Sequence, residues 1–201
     1  MFRFMSTALP LLAVAIAGAG CASQYGMMKD GSTALINGNA GLENWNRVGE
    51  ANWRAADDAI VADKKTGKTI SYLVSKNAYT DFTIHAEFWV SDDANSGIFL
   101  RCADPLNIDA KTCYEVNIFD KRPDPSYGTG AIVDLASVSP MPKAGGKWNT
   151  YDITARGTHL TVTLNGVRTA DVNDSRLARG PVALQYDSGT VKFRNVSIKP
   201  L

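Results

Sequence analysis

The chain has 201 residues, is 45% hydrophobic, and carries 21 Lys and Arg against 20 Asp and Glu, a formal net charge of +1. That length supplies one substantial core and fits a single domain. The near-neutral balance, with no basic run able to track a phosphate backbone, argues against a nucleic-acid partner.

The first element in chain order is a processing signal. Arg3 precedes an apolar stretch from Ala8 through Ala19, and small residues lead to Cys21. Pro10 and the Gly/Ala-rich end leave too few strongly apolar residues to cross about 30 Å of hydrocarbon. Gly18, Ala19 and Gly20 before Cys21 resemble a bacterial lipoprotein cleavage box, in which Cys21 is lipidated. Gly18 stands where such boxes carry an aliphatic residue, so ordinary secretory cleavage is the alternative. The expected organisation is a signal over 1–21, a polar tether over 22–34, and one folded domain over 35–201. The expected location is the bacterial cell envelope, in the periplasm or on the outer membrane, with membrane contact through the lipid anchor only.

Export places Cys102 and Cys113 in an oxidising compartment, where a disulfide persists. Lipidation of Cys21 makes the remaining cysteine count even. Two buried free thiols are the alternative.

From Leu42 onward, short β-branched and aromatic runs alternate with Gly, Asn, Asp and Pro, and no helical period is sustained, which predicts an all-β sandwich. Over 81–90, Phe82, Ile84, Ala86, Phe88 and Val90 alternate with Thr83, His85, Glu87 and Trp89, and the first set is expected to face the core. The turn at 92–97 leads into a strand over 98–101, and 114–119 reads as the next. Strands over 148–155 and 159–164 meet at Gly157. Asn165-Gly166 predicts a type I′ hairpin into Val167. Strands over 182–186 and 191–199 close the domain, with a slip of apolar phase that predicts a β-bulge at Arg194-Asn195. Cys102 shares parity with Ile98 and Leu100, whereas Cys113 shares parity with Glu115. A disulfide between them therefore belongs in the loop beyond the strand ends, unless one parity is wrong.

Several segments together resemble the 3-keto-disaccharide hydrolase family. They are Asp81-Phe82 leading into Glu87-Phe88, Asn95 to Phe99 with Arg101, Tyr114-Glu115-Val116 with Ile118 and Asp120, and Thr129 to Ile132. Trp148 to Tyr151, Leu164 to Val167, Gly180-Pro181 with Leu184-Gln185, and Phe193 to Asn195 complete the set. The resemblance spans nearly all of 42–201. It implies an antiparallel jelly-roll β-sandwich of the concanavalin A-like lectin/glucanase type, a carbohydrate ligand, and cleavage of the glycosidic bond of 3-keto-glucosides or disaccharides. The chain departs from the family at Asn117, where Gln is common, and at Tyr186-Asp187, where His is common. Family domains also occur as non-catalytic binding modules, so a carbohydrate-binding envelope lipoprotein is the rival reading.

Strand alternation nominates a binding face with His85, Glu87 and Trp89 on one strand, Phe99 and Arg101 on a neighbour, and Glu115 and Asn117 on the next. Aromatic rings stack on sugar CH faces, while carboxylates, amides and guanidinium groups bond hydroxyls. Trp89, Phe99, Asn117, Gln185 and Tyr186 are the expected sugar contacts. With the keto sugar that the resemblance implies, Glu115 or Glu87 is the candidate base, Arg101 the enolate stabiliser, and His85 or Asp120 the second acid/base group. Glu87 with Glu115 is also the candidate pair for an ordinary two-carboxylate glycosidase, and Arg101 with Glu115 could form a structural cross-strand ion pair. No metal or cofactor motif is present. Asp104, Asp109, Asp120 and Asp124 are scattered around one loop and make no calcium motif, so the expectation is no cofactor, with a calcium ion in that loop as the alternative.

Overall fold

Strand periodicity organises the chain. From Phe82 to Val90 every second side chain is buried and the intervening ones are half-buried, the signature of a strand with one face on a core. A computed structural model describes residues 28–201, in which thirteen strands form two antiparallel sheets packed face to face. In chain order the first five are β1 (Thr33–Ile36), β2 (Trp45–Val48), β3 (Arg54–Ala56), β4 (Ala59–Ala62) and β5 (Ser71–Tyr79). They are followed by β6 (Phe82–Val90), β7 (Ser96–Leu100), β8 (Tyr114–Ile118) and β9 (Trp148–Arg156). The last four are β10 (His159–Leu164), β11 (Val167–Asn173), β12 (Gly180–Tyr186) and β13 (Val191–Pro200).

One sheet has eight strands in the order β11-β10-β9-β6-β13-β4-β3, with β1 also paired to β13; the other has five, in the order β2-β5-β12-β7-β8. The antiparallel sandwich expected from the sequence is therefore present. Cys21 and the signal segment lie outside the described residues. Strand β1 takes Thr33 and Ala34 into the sheet, so the folded domain begins before the expected boundary at 35.

The predicted bulge is real. Pairing of β13 with β6 shifts between Arg194 and Ser197, and Asn195 adopts φ 48°. On the other side of β13, β4 pairs before the bulge, with Val191–Phe193, and β1 pairs after it, with Val196–Ile198. One long strand thus serves two short neighbours. At the β10–β11 turn, Asn165 and Gly166 have φ 50° and 81°, the positive values a type I′ turn requires.

The core lies between the sheets, where Ile84, Phe88, Ile153 and Phe193 from one meet Leu73, Ile98, Val116 and Leu184 from the other. Phe88 stacks on Tyr151 at 4.9 Å between centroids. The Tyr151 hydroxyl donates across the core to the Asn117 carbonyl at 2.7 Å. This bond ties β9 to β8 and fixes the height of β8, on which Glu115 stands.

Candidate active site

The sandwich has two outer faces, and the expected site residues divide between them. His85, Glu87 and Trp89 lie on β6, in the eight-stranded sheet, whereas Phe99, Glu115, Asn117 and Gln185 lie on β7, β8 and β12 of the five-stranded sheet. Outward residues of opposite sheets point away from each other. The single face expected from strand alternation is thus two faces separated by the core, and Glu87 and Glu115 cannot act as a pair.

On the eight-stranded sheet the outward groups satisfy one another. His85 Nδ1 lies 2.7 Å from Asp152 Oδ1, its direct cross-strand neighbour. Glu87 accepts from Arg194 Nε at 2.7 Å and from Asn195 Nδ2 at 2.9 Å. Burial alone would raise the Glu87 carboxyl, but those two hydrogen bonds hold it below its ordinary range. Trp89 and Trp148 face each other across the β6–β9 pair. Lys192 lies 5.4 Å from the Trp89 centroid and Arg194 lies 4.0 Å from that of Trp148, so cations occupy ring positions a sugar would need.

Three further expectations are corrected. Arg101 is fully buried and has φ 51°, which turns it off the face. Its Nε donates to Thr80 O at 2.8 Å, its Nη1 to Gly157 O and Leu177 O, and its Nη2 to Asp81 Oδ1 at 3.1 Å. It braces three loops and pairs with Asp81, not Glu115. Asp120 accepts from Thr129 Oγ1 at 2.6 Å and from the backbone of Ala144 and Gly145, each at 2.9 Å, so its carboxylate holds a loop. Tyr186 points into the core, edge-to-face with Trp53 at 6.2 Å.

The outer face of the five-stranded sheet is built in cross-strand rows. One runs Val48, Tyr72, Gln185, Gly97, Asn117, and the next runs Asn46, Val74, Ala183, Phe99, Glu115. The Tyr72 and Phe99 rings meet edge-to-face at 5.4 Å. Tyr72 also donates to Ile108 O at 3.1 Å, and burial pushes its phenol up to about 12. Ile108 belongs to the loop closed by the Cys102–Cys113 disulfide, whose Cα atoms are 4.3 Å apart. That loop packs on Tyr72, Val74, Phe99 and Ala183. The left-handed Arg101 resolves the parity conflict: β7 ends at Leu100, and Cys102 joins the outer-face cluster beside Cys113.

Glu115 is the perturbed acid of this face. Burial pushes its carboxyl up to about 7; the Arg122 cation opposes the shift, and Asp134 and Asp109 reinforce it. A carboxyl poised near neutral pH exchanges protons readily in either direction. Beside it, Asn117 donates from Nδ2 to Tyr127 O at 2.7 Å.

Sequence reasoning missed Tyr72, Gly97 and Arg122. Tyr72 was hidden because β5 is buried on both sides from Ser71 to Ser75 and shows no alternation. Arg122 lies in a loop, where periodicity carries no information. Gly97 stands in the turn-to-strand segment and offered only its missing side chain as a signal.

Comparison with known proteins places these features in context. A family model for the 3-keto-alpha-glucoside-1,2-lyase-like domain matches residues 31–199. No curated protein matches significantly. Among solved structures, a candidate glycosyl hydrolase from Parabacteroides distasonis ATCC 8503 superposes with a TM-score of 0.72 at 19% identity, covering 85% of this chain and 94% of that one. The carbohydrate binding module CBM66 from Bacillus subtilis gives 0.57 at 18% identity, covering 78% and 95%. The exoplasmic/lumenal domain of VIP36, bound to Ca2+ and mannose, gives 0.59 at 10% identity, covering 84% and 89%. At these identities the likeness establishes the shared sandwich fold.

Proposed function

Because the chain belongs to the 3-keto-alpha-glucoside-1,2-lyase-like domain family, we propose that it binds a sugar on the outer face of the five-stranded sheet and cleaves the glycosidic bond of 3-keto-glucosides there. The observation that carries this reading is Glu115, a carboxyl pushed up to about 7 on a face it shares with Phe99, Asn117 and Gln185.

The C3 ketone acidifies the hydrogen on C2. Ionised Glu115 takes that proton, the C–H electrons form the C1–C2 double bond, and the C1–O bond breaks with its electrons leaving on the aglycone oxygen. That oxygen takes the proton now held by Glu115, which returns to its ionised form, and water adds later to the unsaturated sugar. Enolate character develops on the ketone oxygen, and Arg122, the cation that acts on Glu115, replaces Arg101 as its stabiliser. The Cys102–Cys113 disulfide fits an exported protein, held in the envelope by a lipid on Cys21.

The test is release of p-nitrophenol from p-nitrophenyl 3-keto-α-glucoside by the purified domain. Turnover that falls at least about 10²-fold in Glu115→Gln supports the reading, and release no faster than in that variant overturns it. Binding without turnover is the alternative, favoured by the departures from the family pattern at Asn117 and Tyr186-Asp187. It predicts sugar affinity that survives Glu115→Gln with no product formed.

A further inference from the structure

Gln185 and Asn117 each bury an acceptor that nothing among the described residues satisfies. Gln185 is 4% exposed and Asn117 0%, yet Gln185 Oε1 and Asn117 Oδ1 have no hydrogen-bond partner among the described residues. The Asn117 amide cannot simply be turned over, because its Nδ2 donates to a carbonyl, Tyr127 O, at 2.7 Å. A buried acceptor left unpaired costs free energy that a fold does not ordinarily tolerate twice on one face.

The two residues flank Gly97: Asn117 stands directly opposite it on β8, and Gln185 follows Leu184, the partner of Ile98, on β12, with its Oε1 3.4 Å from where a Gly97 Cβ would lie. Gly97 has no side chain to occupy the space between them. A Cβ built there would lie 3.4 Å from Gln185 Oε1, 3.3 Å from Phe99 Cε2 and 3.2 Å from the Val116 carbonyl. The φ of Gly97 is not in the left-handed region, so the backbone does not require glycine. The tight approach of its neighbours disfavours a side chain there. Glu115 sits two residues from Asn117 on the same strand and the same face.

We propose that Gln185 and Asn117 form a donor-reading subsite over Gly97, which takes hydroxyl groups of the sugar bound on this face. The assignment rests on placing the sugar there. The two unpaired amide carbonyls are acceptors, which match hydroxyl donors and mismatch a bare carbonyl or a methylene edge. Both oxygens are buried and the Phe99 ring lies against Gly97, so a hydroxyl that reaches them must displace that ring. A site built to bond a hydroxyl discriminates strongly against the analogue that lacks it.

The test compares wild type, Gln185→Met and Gln185→Glu on p-nitrophenyl 3-keto-α-glucoside and on its 2-deoxy, 4-deoxy and 6-deoxy analogues. Gln185→Met removes the acceptor at nearly constant volume and Gln185→Glu retains one. The expected result is a kcat/KM lower by about tenfold or more for Gln185→Met on the parent, with little further loss on the one analogue missing the hydroxyl that is read. Gln185→Glu restores most of the parent rate, and Gln185→Met melts no lower than wild type, since an unpaired polar atom has been removed. A lower melting temperature with equal loss on every analogue assigns Gln185 a structural role and overturns the proposal. So does an unchanged kcat/KM in Gln185→Met, which would leave an ordered water as the occupant. Gly97→Ala provides a second variant that fills the gap without removing a polar group, and it is expected to raise KM for the parent glycoside. A wild-type protein that neither cleaves nor binds the parent removes the sugar-site reading and the subsite together, and this is visible before any variant is made.

Discussion

The Arg101 guanidinium meets the Asp81 carboxylate at 3.1 Å while donating to the carbonyls of Thr80, Gly157 and Leu177. Asp81 in turn accepts from the Gly157 backbone at 2.9 Å. One buried cation therefore joins the end of β7 to the β5–β6 turn, the β9–β10 turn and the segment before β12. Gly180 packs so closely on the same spot that a Cβ there would collide with the Arg101–Cys102 peptide. Removing Arg101 leaves three carbonyls without this donor and the Asp81 carboxylate without its cation. Arg101→Met is expected to lower unfolding free energy by about 3–5 kcal/mol, and Arg101→Lys to recover little, since an ammonium cannot reproduce the planar fork. Urea denaturation checks both. A loss below about 1 kcal/mol for Arg101→Met would contradict the bracing role.

Glu115 makes the opposite prediction about charge. Its folded-state value of about 7 lies above the ordinary carboxylate range, so the protein is stabilised by keeping it protonated. That stabilisation is fully present below about pH 4.5 and is lost as pH rises through about 7. Glu115→Gln is therefore expected to be more stable than wild type above pH 7, by up to about 3 kcal/mol, with the difference vanishing toward pH 4. Thermal melts across that range check it. If Glu115 is the base, wild-type turnover rises with pH through a midpoint near 7 and the variant lacks that limb.

The strand alternation of β6, the Asn165-Gly166 hairpin and the bulge at Asn195 were legible in the sequence because each has a local cause. Sheet membership was not. Alternation fixes which side of its own strand a residue occupies, and it says nothing about whether β6 and β7 share a sheet. The chain crosses from one sheet to the other in the turn over 91–95, so His85 and Glu87 part company with Phe99 and Glu115. Arg101 misled for a second local reason: a left-handed residue breaks the parity rule at the position where it was applied. Strands β1 to β5 went unread because four of them are only three or four residues long and β5 is buried on both faces.

The Cys102–Cys113 disulfide fastens the loop that covers Tyr72 and Phe99. Their sequence separation is 11, and closing a loop of that size stabilises by about 3 kcal/mol on chain-entropy grounds. The double variant Cys102→Ala/Cys113→Ala is expected to lose about that much in urea denaturation. Amides of the loop over 103–112 should gain hydrogen exchange before those of β5 or β12, because Ile108 is then held only by packing and by the Tyr72 hydrogen bond. Exchange that rises uniformly across the domain would show that the disulfide supports the whole sandwich and not this cover.

His85 and Glu87 provide the sharpest control on where the chemistry lies. Both project from the eight-stranded sheet, and both are bonded to groups of that sheet, Asp152, Arg194 and Asn195. If cleavage occurs on the five-stranded face, His85→Ala and Glu87→Gln leave kcat/KM within about twofold of wild type, since neither touches substrate. Glu87→Gln nevertheless costs stability, about 1 kcal/mol at neutral pH for a partly exposed pair. The sign is the reverse of that at Glu115. The folded-state value of Glu87 is depressed, so its contribution is present above the ordinary carboxylate value and fades as pH falls through the folded one. Glu87→Gln therefore approaches wild type in acid, and Glu115→Gln exceeds wild type in base. A Glu87→Gln enzyme that loses turnover while keeping its fold would move the active site to the opposite sheet.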